Sequence, residues 1–124
     1  MSPELQLQLH DAHPYTLGET IAGNVVVLEG GRSRSLKVEL RYNERTKDYS
    51  KATTISSAAL HEGDLTKGTL FEFEVLLPED GNPDYRTNHS ELYWELSVTS
   101  DELGLDTHES RRVEVSVKPR KTSS

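Results

Sequence analysis

The sequence predicts an all-β fold: an antiparallel sandwich of about seven strands. Three observations carry that expectation. Apolar and polar residues alternate in segment after segment. Clusters of Gly, Pro, Asn and Asp separate those segments. Nowhere do apolar residues keep helical spacing for three turns.

In chain order, Leu5, Leu7 and Leu9 alternate with Gln6, Gln8 and His10, the pattern of a strand with one buried face. Residues 11–18 carry Pro14 and Gly18 and read as a connection. Ile21, Val25 and Val27 share one parity with Gly23, and a glycine inside a strand marks a bulge or a close backbone approach. Residues 29–35 read as a turn in which the pair Gly30-Gly31 is able to take positive φ. Leu36, Val38, Leu40 and Tyr42 then point inward, with Lys37, Glu39 and Arg41 outward.

Residues 51–60 are rich in Ser and Thr, with Ile55 the only large apolar side chain before Leu60. The segment fits a solvent-exposed edge strand or a loop. Residues 61–64 turn the chain. Phe71, Phe73, Val75 and Leu77 form the next inward row, and Pro78 ends it before a connection dense in turn formers. Leu92, Trp94, Leu96 and Val98 make the strongest strand. Residues 101–108 read as an acidic loop, and Val113, Val115 and Val117 as the closing strand. Residues 1–118 thus form one domain and residues 119–124 a flexible tail.

Composition agrees with a thin two-layer core. Only 33% of the 124 residues are hydrophobic, below the ~45–50% of average soluble domains. No apolar run nears the ~20 residues that span a bilayer. The first residues lack the basic start and apolar stretch of a signal peptide. No cysteine is present, which removes disulfides, thiolate metal sites and cysteine nucleophiles. These features lead us to expect a cytoplasmic protein without membrane insertion. The net charge of −7 argues against nucleic acid as a partner. That charge is uneven: Arg32 to Lys51 holds seven basic and three acidic residues, whereas His61 to Glu109 holds two and thirteen.

Two stretches resemble a known family. Tyr15-Thr16-Leu17-Gly18-Glu19, followed by Gly23, Val25 and Val27, resembles the opening strand of arrestin-type sandwiches, with Leu17 where the family has proline. Gly68 through Asp80, Pro83, Tyr85 and Leu92 to Val98 are similar to that family's aromatic strand, Leu-Pro turn, proline-containing loop and second aromatic strand. The likeness runs over residues 5 to 117, with Leu36 to Tyr42 between. It implies a single immunoglobulin-like, arrestin-like sandwich where arrestins and the bacterial sporulation-control proteins pair two. It also implies a non-catalytic role in binding proteins.

Other chemistry is weakly signalled. His10 and His13 have a chelating separation but no third ligand nearby, so they read as ordinary strand-end histidines, and no metal is expected. Asp101, Glu102, Asp106 and Glu109 could hold calcium, yet lack the regular spacing of a calcium loop, and a solvated loop is the simpler reading. No nucleophile-elbow, phosphate-loop or dinucleotide pattern occurs, so neither a catalytic residue nor a cofactor is expected. The parity of Trp94 makes it a core anchor rather than a sugar platform. Tyr49, Tyr85 and Tyr93 are left for outer surfaces.

The expected function is a protein-binding adaptor or scaffold that takes an extended peptide at a sheet edge. Residues 51–60 and their basic surroundings (Arg32, Arg34, Lys37, Arg41, Lys51 and Thr54) are the expected contacts. Two alternatives stay open: a homo-oligomer built by opposite charged poles, and a small-ligand or carbohydrate module using Tyr85, Arg86 and residues 101–109.

Overall fold

The computed structural model describes residues 3–10, 15–80, 84–104 and 106–116, and every regular element among them is a strand. They are β1 (Glu4–Leu9), β2 (Tyr15–Thr16), β3 (Thr20–Glu29), β4 (Ser35–Thr46), β5 (Ser50–Glu62), β6 (Leu70–Leu76), β7 (Tyr85–Arg86), β8 (Ser90–Asp101), β9 (Thr107–Val113) and β10 (Val115–Ser116). No described helix is long and apolar enough to cross a membrane.

Two sheets enclose one core. The smaller has the order β1-β3-β6, antiparallel throughout. In the larger, β4 lies between β5 and β8. The far edge of β8 is shared end to end by β7, opposite residues 91–92, and β9, opposite residues 94–100. Leu5, Leu7, Ile21, Val25, Val27, Phe73 and Val75 from the small sheet meet Leu36, Val38, Leu40, Tyr42, Trp94, Leu96 and Val98 from the large one. All are buried, as alternation on half-buried strands requires. Trp94 lies opposite Tyr42 in register, with ring centroids 4.9 Å apart. Phe71, expected inward, is only partly buried, because it sits at the margin of the core on an outer strand.

Two glycines allow close approaches. At Gly23 a Cβ would run into the Gln8 carbonyl and come within 2.8 Å of the Phe73 ring. Neither Gly30 nor Gly31 uses the positive φ open to it. Instead a Cβ on Gly30 would meet the Leu65 carbonyl at 2.5 Å, where Gly31 and Leu65 form a small bridge joined by mutual backbone hydrogen bonds.

The strand count exceeds the expected seven for an identifiable reason. Val113 and Val115 do not share a strand: Val113 closes β9 opposite Trp94, and Val115 pairs with Tyr15 in a short parallel bridge, β10 to β2. β9 also begins at Thr107, inside the expected acidic loop. Its inward row, Glu109 and Arg111, is exposed at the sheet margin beside β1, so nothing there selects for apolar residues. Val117 and the expected tail, 119–124, lie outside the described residues.

Candidate functional site

Residues 51–60 form the centre of β5, a thirteen-residue strand that pairs along one side with β4. Of the two sequence-based readings, edge strand or loop, the structure takes the first. Its last residues turn toward β6, where the His61 ring sits 5.1 Å from that of Phe71. From Ser50 to Ala59 no described strand pairs with the outer edge.

The local sequence explains both the strand and its position. From Ala52 to Leu60 there is no charge, no Pro and no Gly, so the backbone is free to extend. The residues facing the core side, among them Thr53, Ser56 and Ala58, are small, so β5 cannot carry a deep core and stays at the margin. Two register shifts against β4 leave Leu60 and Ile55 as extra residues on β5. Such bulges bend a strand and interrupt its pairing. Ile55 is 41% exposed at one of them. The bulges divide the free edge into two straight runs, residues 50–54 and 56–59.

A tight turn starts the strand. The Thr46 hydroxyl accepts hydrogen bonds from the backbone N–H groups of Asp48 (3.3 Å) and Tyr49 (3.1 Å), and the Thr46 N–H donates to the Tyr49 carbonyl at 2.8 Å. Thr87 holds the turn into β8 in the same way, accepting from His89 at 3.2 Å and Ser90 at 2.9 Å. Thr46 and Ser90 are cross-strand partners, so the two threonine-held turns end side by side.

The outer face of the large sheet is polar but not uniformly wet. Glu39 is only 7% exposed although it points away from the core. Its register neighbours, Ser57 and Ser97, are short, and longer groups close over it. Lys37 Nζ lies 3.2 Å from one carboxylate oxygen. Thr54 donates to the other at 3.1 Å, and the Arg41 guanidinium approaches the same oxygen at 3.4 Å. Burial pushes the Glu39 carboxyl up, but the hydrogen bonds from Lys37 and Thr54 and the charges of Arg41 and Lys37 outweigh it, holding the group below its usual value. Asp84 is the opposite case: burial raises it despite a hydrogen bond from the Val115 N–H at 3.2 Å.

The six residues expected to contact a partner therefore separate. Lys37, Arg41 and Thr54 converge on Glu39, an arrangement the sequence did not signal, since Glu39 read as one more outward charge. Lys51 lies at the start of β5. Arg32 and Arg34 are exposed at the opposite end, flanking Ser33, whose N–H donates to Asp64 at 3.1 Å and whose hydroxyl accepts from Ser100 at 2.8 Å.

The weaker signals resolve as follows. His10 pairs with Asn24 at 3.2 Å, and His61 with the Asp64 carbonyl at 3.2 Å; His13 lies outside the described residues. Among the described residues no group of three His, Asp or Glu side chains could hold a metal ion. The turn between β8 and β9 is closed by the Glu102 N–H donating to Asp106 at 3.1 Å, with Gly104 at φ 103°. Tyr85 and Arg86 form β7. Trp94 is 1% exposed, a core anchor as its parity requires. Tyr49 and Tyr85 are exposed, while Tyr93 carries the Arg112 guanidinium 4.2 Å from its ring centroid.

No protein-family model matches this chain, and no curated protein matches it either.

Proposed function

We propose that this chain is a non-catalytic, arrestin-like adaptor or scaffold module, acting in the cytoplasm, that takes an extended segment of a partner protein along the outer edge of β5. The observation that supports the reading most is the edge itself. Residues 50–54 form an exposed run with Lys51 its only charge, backed by pairing with β4 at every residue and ended by the bulge at Ile55. A partner strand adds affinity through backbone hydrogen bonds to such an edge. The sequence resemblance supports the same class of role.

Adjacent residues in an antiparallel strand direct their N–H groups to opposite sides. One of Thr53 and Thr54 thus presents its N–H to β4 and the other to the free edge. Proline removes that donor and is tolerated only where the donor faces outward. Thr53→Pro and Thr54→Pro, each used as bait beside the parent chain and a Thr54→Val control that lacks only the hydroxyl donated to Glu39, should include one variant that melts no lower than that control yet loses the captured partner. If the stable variant retains the partner at parent levels, this edge is not the docking site.

A further inference from the structure

Beside residues 50–54 the outer face of the large sheet sinks into a hollow of about 230 Å³. Register explains the space. Asn43 of β4 stands between Ala52 of β5 and Tyr93 of β8, and Arg45 stands opposite Ser50. The methyl of Ala52 and the hydroxymethyl of Ser50 leave room that longer side chains would fill.

Asn43 is 9% exposed, and its Nδ2 is shut off from water with no hydrogen-bond partner. Buried amide groups in folded proteins are overwhelmingly paired, so an orphaned donor at the base of a hollow is informative. One cation stands on the same face as Asn43, Arg45, exposed and in no ion pair among the described residues. Glu44 and Lys51 also border the hollow, but they pair with each other in register and direct their side chains to the opposite face, where Glu44 accepts from the Tyr49 hydroxyl at 3.4 Å. Glu91 lies opposite Arg45 in register, but its carboxylate is engaged by Arg112 and Arg86.

The hollow therefore lacks an acceptor for the Asn43 amide and a counter-charge for its cation. Arg45 leaves one uncompensated positive charge on this face, which suits a monoanion and disfavours a dianionic phosphate. A carboxylate supplies both missing elements in one planar group, and charge-assisted pairing to a guanidinium strengthens its hold. Arg45, long and exposed, stands two residues from Asn43 on the same face of β4.

We propose that this hollow is a carboxylate subsite, which seats an acidic side chain or the C-terminal carboxylate of a chain lying along residues 50–54. In naming the donor of that carboxylate, the inference rests on β5 being the docking edge; binding of the carboxylate itself does not. The test needs no partner. Isotope-labelled protein is titrated with two blocked probes at constant ionic strength. Acetyl-glutamate methylamide carries only a side-chain carboxylate, and acetyl-glycine only a terminal one.

Saturating shifts in the Asn43 side-chain NH₂ pair and in the Ser50–Ala52 amides are expected in the millimolar range. The probe that binds tighter identifies the source. Asn43→Asp, which replaces the donor by a carboxylate, and Arg45→Ala, on the exposed rim, should each weaken binding about tenfold or more. Shifts that never saturate, equal binding to both variants, or tighter binding of inorganic phosphate would each overturn the proposal. A stable proline variant that keeps the captured partner and still binds the probe would remove the edge reading and leave the subsite standing.

Discussion

β8 and β5 flank the same strand, one on each side of β4, and are nearly equal in length. β8 is covered along both edges and sends Trp94, Leu96 and Val98 into the core at 1% exposure or less. β5 is covered along one edge, and most of its side chains from Ser50 to Ala59 are exposed. The pairing partner and backbone geometry are shared, so the difference comes from position. A strand between two neighbours must fill the space beneath it, whereas a strand at the margin has no such space.

The sharpest way to break that comparison is to cut each strand's largest apolar side chain. Trp94→Ala removes the anchor that packs on Tyr42 and should cost about 3–5 kcal/mol by denaturant titration. Ile55→Ala, at the exposed bulge, should fall within about 0.5 kcal/mol of the parent. Equal costs would mean that β5 is buried in a way this structure does not show.

The same contrast governs what the sequence reveals. Every strand with a core-facing apolar row (β1, β3, β4, β6 and β8) is readable from alternation, because burial imposes a period of two. β9 is unreadable because its inward Glu109 and Arg111 meet solvent at the margin. β5 was half-readable, since Ser and Thr suit an exposed strand and a loop alike. The pieces of the candidate site follow the same logic. Lys51 and Thr54 are visible as residues near an edge. The Asn43 hollow is not, because it depends on register: only the pairing of β4 with both neighbours places Ala52, Asn43 and Tyr93 in one row. A bulge shifts that register by one residue, and no sequence pattern announced one.

Glu39 refines the comparison, because it sits on the outer face where β4 meets β5. Glu39→Gln should cost about 1.5–3 kcal/mol at neutral pH, the range for hydrogen bonds to a charged group. Its pH dependence has a definite sign. The folded carboxyl titrates below its usual 4.5, so the unfolded chain takes up the proton first as the pH falls. The stabilisation is complete above 4.5 and drains away below it, through the folded value. The stability difference between parent and variant should therefore shrink as acid is added. Asp84 works in the other direction: its raised value favours the folded state below 3.8, an advantage lost as the pH rises. Its contribution is common to both proteins and cancels in the difference. A gap that stays constant from neutral pH into acid would show that Glu39 acts through packing and not through its charge.

The smallest expected effect belongs to Ile55→Lys, and it separates a bare edge from a covered one. In an isolated molecule, a lysine at an exposed bulge should change stability by no more than about 0.5 kcal/mol. Lysine on an edge also opposes strand addition by a second chain. If copies of this chain cover each other's β5 in solution, the parent gains stability from mass action and the variant loses it. The deficit of the variant would then grow with protein concentration and reach about 2 kcal/mol or more once the parent is mostly associated. A concentration-independent difference near zero leaves the edge open for a different partner, which is the state that docking of an extended segment requires. Melting curves of both proteins over a hundredfold range of concentration, about 1 to 100 μM, distinguish the two, because an associated parent would melt progressively higher along the series.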